Sequence, residues 1–384
     1  MAIETLTHRE RLFNTLRRQP VDRPPDYEFG AWRQTLARWQ REGLELKAAD
    51  TESSDEIISH TFATDEAEFG PGLGVKFFLW PPFKQEILEE RDGHQIYVDE
   101  FGALVEQMHP DLGSSIPRYL RYAIESRADW ERLRDERLDP KHPERIPFDI
   151  DALGRDLATT TYPVILPGYP PGWQAPSLYG WIRNWMGVER LSLALYDDPG
   201  WVEEMMEHLT YLYLSLLERL AGKVQVDLCW WWEDMCYNRG PLISPQAFAQ
   251  LMVPRYRRIT TFLRHELGCE YNMLDCDGNI HKLVPLWLQA GINVMFPLEA
   301  LHTDTLQLSH EFGDQVAFRG GFNKMALIEG AGAIDREFER LRPLLKTGRF
   351  IPHTDHRVPP DVSLDNFLYY RRRKCEFIGK ECDA

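Results

Sequence analysis

The segment with the most reactive side chains lies near the end of the chain. There, Pro352-His-Thr-Asp-His-Arg-Val-Pro-Pro-Asp361 places two imidazoles three residues apart, with a carboxylate between them. His353 and His356 could bind a transition metal, act as a general acid or hold a substrate carboxylate. The structural alternative is a loop whose polar groups satisfy one another. Because the pair follows a predicted strand, we expect at least one of the two histidines to be functional.

A second candidate is Asp275-Cys-Asp-Gly-Asn279. Its carboxylates, Asp275 and Asp277, could ligate a metal or share a proton. Asn279 better suits the N-cap of the next helix, and the Asp-Gly step suits a turn. A direct role and a purely local role are both open for the two carboxylates.

A third candidate is Trp230-Trp-Trp-Glu-Asp234. Successive side chains on a strand point to opposite faces, so the three tryptophans cannot all face one way. Core packing is the ordinary explanation. The tryptophan nearest Glu233, which is Trp232, could instead form an aromatic floor to a substrate site.

The elements that must position these residues form a regular series from residue 160 onward. Strand-like runs at 162–168, 226–232, 270–274, 293–296, 316–319 and 349–352 each precede an amphipathic stretch of helical length. Such alternation indicates a parallel sheet. The segment around Tyr27 and one strand from the irregular region 31–160 would bring the number to eight. The sequence therefore predicts an α/β fold, a (β/α)8 TIM barrel, as a single domain over residues 1–384. A doubly wound open sheet is the rival architecture.

The N-terminal region has fewer regular features. Thr7 and Glu10 have the spacing of a capping box that opens the first helix. A second helix is predicted over 32–43, and 94–99 with 103–108 reads as a hairpin. Segment 110–150, which is rich in charge and proline, is interpreted as an insertion or cover over one end of the barrel.

In a TIM barrel, the residues that follow each strand line the active-site face. This rule assigns catalysis to four residues, namely His356, Asp275, Asp277 and Glu233. Together with the N-terminal segment, it assigns substrate contacts to Tyr27, Trp232, Asp234, Glu299, Asn323 and His353.

Composition narrows the function classes. The formal net charge is -16, from 60 acidic and 44 basic residues, which argues against nucleic acid and against anionic membrane surfaces as partners. No apolar run approaches the roughly 20 residues that span a bilayer, and the first residues lack a signal-peptide pattern. These features predict a cytoplasmic protein. Six cysteines without a Cys-x-x-Cys motif are expected to be free thiols.

Several motifs resemble the uroporphyrinogen decarboxylase superfamily. They are Arg9-Glu-Arg-Leu-Phe, Pro20-Val-Asp-Arg-Pro-Pro25, Leu195-Tyr-Asp-Asp-Pro199, Gly240-Pro-Leu-Ile-Ser-Pro245, Asp277-Gly-Asn279, the Gly320-Gly321 pair and the stretch through Pro360-Asp361. The match covers most of the chain from residue 160 and is thinner before it. The resemblance implies a TIM barrel, and it leaves two branches of activity.

The first branch is the haem-pathway decarboxylase, which uses no cofactor and holds substrate carboxylates with N-terminal arginines. Arg33 is the only counterpart here, as a candidate substrate contact, although His356 matches the late histidine of that branch. The second branch is the corrinoid and coenzyme M methyltransferases, which hold zinc with a His-x-Cys pair and a later Cys. Asp275 and Asp277 occupy the place of the pair, and His356 that of the final Cys.

The chain thus departs from both branches. The resemblance implies a divalent metal, zinc first, on His356, Asp277 and Asp275, with His353 and Glu233 as helpers. The preferred function is a metal-assisted methyltransferase that acts with a corrinoid protein or a small acceptor. A cofactor-free decarboxylase of a tetrapyrrole or another acid is the alternative, and a non-catalytic tetrapyrrole- or corrinoid-binding protein is a third.

Partners follow from the same reasoning. No Asp-x-His-x-x-Gly motif of the corrinoid-domain type occurs before the barrel, so any corrinoid would be carried by a separate protein. Association into a homodimer is left open.

Overall fold

The computed structural model describes residues 5–47, 53–70, 72–109, 117–168 and 175–381. Its N-terminal helices are α1 (His8–Leu16), α2 (Arg33–Arg41), α3 (Ser54–Thr61), α4 (Arg127–Arg137) and α5 (Ile150–Leu157). The predicted capping box is confirmed, because the Thr7 side chain accepts from the Glu10 N–H and the Glu10 side chain accepts from the Thr7 N–H.

An antiparallel four-stranded sheet lies in the same region. Its strands, in spatial order, are β1 (Glu86–Arg91), β2 (His94–Val98), β3 (Leu104–Met108) and β4 (Arg118–Arg121). The predicted hairpin is β2 with β3, in which His94 lies opposite Met108. Segment 110–150 holds β4 and α4, and its first part, 110–116, lies outside the described residues.

The rest of the chain builds a parallel sheet. Its six strands are β5 (Ile165–Leu166), β6 (Leu228–Trp232), β9 (Tyr271–Asp275), β10 (Val294–Phe296), β11 (Ala317–Phe322) and β12 (Phe350–Thr354). A short antiparallel pair, β7 (Cys236–Tyr237) and β8 (Gly240–Pro241), follows β6. The six parallel strands are neighbours in chain order, as expected when each strand is followed by a helix that returns the chain to the next position.

Helices cover the outer face of this sheet. They are α6 (Tyr179–Met186), α7 (Val188–Asp197), α8 (Pro199–Leu220), α9 (Pro245–Ala247), α10 (Val253–Leu267), α11 (Val284–Gln289), α12 (Thr305–Phe312), α13 (Met325–Glu329), α14 (Ala331–Thr347) and α15 (Leu364–Ile378). A π-helical turn, Phe248–Met252, joins α9 to α10. Helix α9 begins as predicted, with the Ser244 side chain accepting from Ala247 N–H and with Pro245 in the first turn.

The core is divided by the strands into two apolar clusters. The inner cluster combines inward-facing residues of all six parallel strands with two residues of α1, Leu12 and Leu16. Trp230 belongs to this inner cluster, whereas Trp231 packs in the outer cluster between strands and helices. The tryptophans therefore face different ways, as the strand geometry requires. Since α1 packs against the inner cluster and β12, it closes the barrel at the end opposite to the carboxyl ends of the strands.

The segment around Tyr27 differs from its prediction, because it is extended without being a strand. The N–H groups of Asp26 and Glu28 donate to the carboxylates of Asp65 and Glu66, at 3.0 and 2.9 Å. Side chains thus satisfy backbone groups that a neighbouring strand would otherwise satisfy. Within the described residues, the isolated β-bridge of this region is the parallel one between Ala31 and Val358, and both residues lie outside the strands of the sheet.

Two further expectations can be compared with the structure. Cys229, Cys236, Cys269 and Cys276 are free thiols, but Cys375 is disulfide-bonded, so the expectation of six free thiols is wrong there. Cys382 lies outside the described residues. None of the helices in the described ranges has the length and apolarity that crossing a membrane requires.

Candidate active site

A cavity of about 520 Å³ opens at the carboxyl ends of the parallel strands. Its size is in the range of small-molecule sites. Five aromatic side chains line it, namely Phe29, Trp32, Trp181, Trp230 and Trp232. Its charged lining consists of Glu28, Arg33, Asp55, Asp234, Asp275, Asp277, Arg319, His356 and Arg357. The cavity therefore combines apolar walls with an unusual density of ionisable groups.

His356 and Asp277 form a pair at this cavity. Nε2 of His356 lies 3.3 Å from Oδ2 of Asp277, and the two side chains are 22% and 33% exposed. The imidazole packs on Trp32 at 6.3 Å between ring centroids and on Phe29 at 5.3 Å. Oδ1 of Asp277 is buried and accepts no hydrogen bond from any residue that the structure describes. The pair therefore places a ring nitrogen beside a carboxylate oxygen at the wall of the cavity.

Two more carboxylates crowd the same wall. Asp275 accepts a long hydrogen bond of 3.4 Å from the Trp230 indole. Burial raises the pKa of Asp275 well above its ordinary value, and the charges of Asp277 and Asp234 raise it further. Burial also raises the pKa of Asp234, although its ion pair with Arg183, at 2.7 Å, opposes the shift. Both shifts favour the protonated, uncharged form of these two carboxyl groups.

The cations of the cavity are already neutralised, except at its rim. Arg319 pairs with the buried Glu66 at 2.8 Å, and Arg357 pairs with Asp55 at 2.7 Å. Arg33 lines the exposed rim.

Glu28 is a carboxylate of the cavity wall whose negative charge is also paired with basic side chains. Its Oε1 accepts from both Arg371 and Lys374 at 2.8 Å. Of the lining carboxyl groups, Asp275 and Asp277 thus lack an arginine or lysine partner among the described residues.

His353 does not share the environment of His356. Its Nε2 accepts from Arg319 at 3.0 Å, and its Nδ1 lies 2.7 Å from the Thr354 carbonyl. Burial and the nearby cations, Arg319 first, hold the pKa of His353 well below its usual range. The ring is therefore neutral, with both nitrogens engaged inside the barrel, and it supports Arg319 rather than the cavity.

Glu233 is placed away from the cavity. Its carboxylate accepts from the backbone N–H groups of Leu178, Tyr179 and Gly180 at 2.7 to 2.9 Å. It also accepts from the Ser177 and Tyr256 hydroxyls. These donors begin helix α6, whose N-cap residue has no capping side chain of its own. Glu233 therefore caps the N-terminus of α6.

Some of the remaining predicted substrate-contact residues line the cavity, and the others lie outside its lining. Trp232, Asp234 and Arg33 line the cavity. Glu299 accepts from the Gly278 N–H at 2.8 Å and from Lys324 at 3.3 Å, outside the cavity lining. Two others also lie outside it: Asn323 accepts from the Met325 N–H, and Tyr27 is buried under the Arg319 guanidinium.

The predicted metal ligands do not converge into one set. No group of three His, Cys, Asp or Glu side chains is arranged to hold a metal ion in the part of the chain that the structure describes. His356 and Asp277 are two adjacent donors, but both nitrogens of His353 are engaged. These residues do not fit a complete structural or catalytic zinc shell, which takes at least three protein ligands. A divalent metal at this pair therefore stays a prediction.

Several lining residues were missed by reading only the segments after the strands. Trp32, Asp55 and Trp181 come from helical regions far away in sequence, and Arg357 follows the predicted His356 directly. A local signal existed for Arg319, because an arginine two residues after Ala317 in an apolar strand must face the same side as the inner cluster.

Comparison with known proteins agrees with this architecture, a barrel whose cavity lies where α/β-barrel enzymes have their active sites. The profile of the uroporphyrinogen decarboxylase (URO-D) family matches residues 176–371, and the chain belongs to this family. The resemblance and the TIM-barrel class predicted from sequence are thereby confirmed. Its members are decarboxylases and methyltransferases, so the protein is an enzyme of this superfamily.

Solved structures add information on the fold. A methyltransferase from Methanosarcina mazei is 14% identical, with 97% of this chain and 99% of that chain covered at a TM-score of 0.56. A B12-independent methionine synthase from Shewanella sp. W3-18-1 in complex with selenomethionine is 12% identical, with 90% of this chain and 86% of that chain covered at a TM-score of 0.37. This TM-score is too low to support an argument about the fold. No curated protein matches the chain significantly.

Proposed function

We propose that this protein is a methyltransferase that moves a methyl group from a small donor, bound in the cavity, to an acceptor. The acceptor is a corrinoid carried by a separate protein or a small molecule such as a thiol. The observation that carries the proposal is the His356–Asp277 pair in an aromatic cavity. Aromatic walls hold an apolar methyl group and exclude water, which competes as a nucleophile.

The charge of the cavity favours methyl transfer over decarboxylation. A substrate carboxylate would meet the Asp277 carboxylate, which repels it. Arg319 and Arg357, which could attract it, already form ion pairs with Glu66 and Asp55. Arg33 alone is a weak basis for binding a polycarboxylate such as a tetrapyrrole.

The His356–Asp277 pair supplies proton transfer. The imidazole can give a proton to a leaving heteroatom when the carbon–heteroatom bond breaks with its electron pair on that atom. It can equally take a proton from a thiol acceptor as the sulfur attacks the methyl carbon. Asp277 stabilises the imidazolium in both cases, and such positioned groups contribute about 10²- to 10⁴-fold to rates.

The test is an isotope experiment with the purified protein. Methyl-labelled amines, methoxylated aromatics and a methylated corrinoid are offered with a reduced corrinoid or a small thiol as acceptor. In parallel, tetrapyrroles and small acids are examined for carbon dioxide release. Transfer of label supports the proposal, whereas carbon dioxide release without any label transfer would replace it with decarboxylation.

A further inference from the structure

Resting on the methyl-transfer function proposed above, we propose that the methyl donor is an onium compound. By this we mean an organic cation with methyl groups on a quaternary nitrogen, held between the tryptophans and the Asp277 carboxylate of the cavity. The inference rests on three features: the aromatic lining, the unequal compensation of charge and the chemistry of the leaving group.

The aromatic lining suits a quaternary cation. Four of the five aromatic residues are tryptophans, whose ring faces attract cations most strongly. Guanidinium groups already lie over three of the five rings: Arg183 over Trp232 at 5.6 Å, Arg319 over Trp230 at 5.1 Å and Arg357 over Phe29 at 5.6 Å. Trp32 is 43% exposed and stacks on His356, so part of this ring is open. Quaternary ammonium groups lack N–H donors, and rings rather than hydrogen-bond acceptors are their usual partners.

The charges add a preference for a cation over a neutral ligand. Oδ1 of Asp277 is buried and receives no hydrogen bond within the described chain, whereas burial raises the pKa of Asp275 and so favours the uncharged form of that neighbour. The other lining acids, Glu28, Asp55 and Asp234, each form an ion pair with an arginine. A bound cation would give Oδ1 of Asp277 a partner that the described residues do not supply. Arg33 stands at the exposed rim, where solvent screens its opposing charge.

The chemistry of an onium donor fits the groups that are present. A nucleophile forms a bond to the methyl carbon while the carbon–nitrogen bond breaks with its electron pair on nitrogen. The product is a neutral tertiary amine, so the leaving atom needs no proton in this step. With a thiol acceptor, the sulfur proton passes to His356, and Asp277 balances the resulting imidazolium.

Calorimetric titration of the purified protein tests the recognition step directly. The probes are choline, tetramethylammonium and 3,3-dimethylbutan-1-ol, which has the shape of choline with carbon in place of the charged nitrogen. We expect both cations to bind, and choline to bind at least about tenfold more tightly than its neutral isostere, because only the cation gains from the rings and the Asp277 carboxylate.

Matched variants locate the binding. Asp277→Asn keeps the shape and removes the charge, and Trp32→Leu removes an exposed ring, so each should weaken choline about tenfold. Asp314→Asn removes a charge that is 93% exposed and lies outside the cavity lining. Tyr196→Leu removes an exposed ring outside that lining. Both control variants should bind choline as the wild type does, and circular dichroism should show all four variants folded.

The outcomes separate this inference from the function on which it rests. Equal affinity for choline and its isostere, or no binding of either cation, overturns the onium inference. Label transfer from a neutral donor would in that case leave the methyltransferase function standing. Cation binding with the expected variant pattern, but with no label transferred to any acceptor, overturns both the methyltransferase function and the donor role.

Discussion

Replacement of Glu233 distinguishes a structural carboxylate from a catalytic one. This side chain accepts three backbone N–H groups at the start of α6 and two hydroxyl groups. In Glu233→Ala, all five buried donors lose their acceptor. In Glu233→Gln, the amide keeps one acceptor oxygen, and its NH₂ group can donate to Tyr256 once that hydroxyl rotates.

The size of the effect follows from these contacts. A buried donor left without a partner costs about 1–3 kcal/mol, so three N–H groups give roughly 3–9 kcal/mol. Relief from burying the carboxylate offsets part of this, since burial raises the pKa of Glu233 and thus disfavours its charged form. We expect Glu233→Ala to lower the free energy of unfolding by about 4 kcal/mol and Glu233→Gln by about 2 kcal/mol.

Urea denaturation followed by circular dichroism measures both values. Glu299→Ala is the matched control, because Glu299 accepts one backbone N–H and one lysine contact, for which we expect about 1 kcal/mol. Folded Glu233→Gln should retain wild-type turnover. If the free energy of unfolding of Glu233→Ala were within about 1 kcal/mol of the wild-type value, the capping role would be refuted. A large loss of turnover in folded Glu233→Gln would indicate that Glu233 has a catalytic role.

Three further predictions follow from the geometry. His356→Ala should lower methyl transfer by about 10²-fold or more with an unchanged unfolding curve, because this side chain makes one partly exposed ion pair; wild-type turnover would remove it from the mechanism. Burial raises the pKa of Asp99 to about 6, so the folded state binds more protons than the unfolded state from about pH 4 to pH 6, and stability falls as the pH rises through that window. The Asp99→Asn side chain can still accept from the N–H groups of Phe101 and Ala103. After a discount for solvent screening, its free energy of unfolding should exceed that of the wild type by about 1 kcal/mol at about pH 8 and equal it at about pH 4. The same difference in free energy at both pH values would contradict this prediction. Elemental analysis after incubation with zinc, manganese or iron(II) should find any bound ion lost in both His356→Ala and Asp277→Asn, and a stoichiometry near zero in the wild type would leave the pair as proton-transfer residues.

Local sequence determined the secondary structure of the C-terminal half and the end of the barrel at which the site lies. Helix starts such as Thr7 with Glu10, and Ser244 before Pro245, depend on hydrogen bonds within four residues. The strand–helix alternation depends on the short periods of apolar residues. The same alternation predicts that Asp275 and His356 lie near each other: Asp275 ends β9, His356 follows β12, and both line the cavity, because side chains at the carboxyl ends of parallel strands meet at one face.

Tertiary structure alone decided which of those side chains enter the cavity. Glu233 and Asp234 are adjacent, yet Asp234, with a φ of 34°, lines the cavity, whereas Glu233 turns to N–H groups more than fifty residues earlier. His353 is held inside the barrel by Arg319, and Arg319 in turn by Glu66. No short-range pattern encodes such pairings, because buried donors and charges take whichever partners the packed chain brings within hydrogen-bond distance.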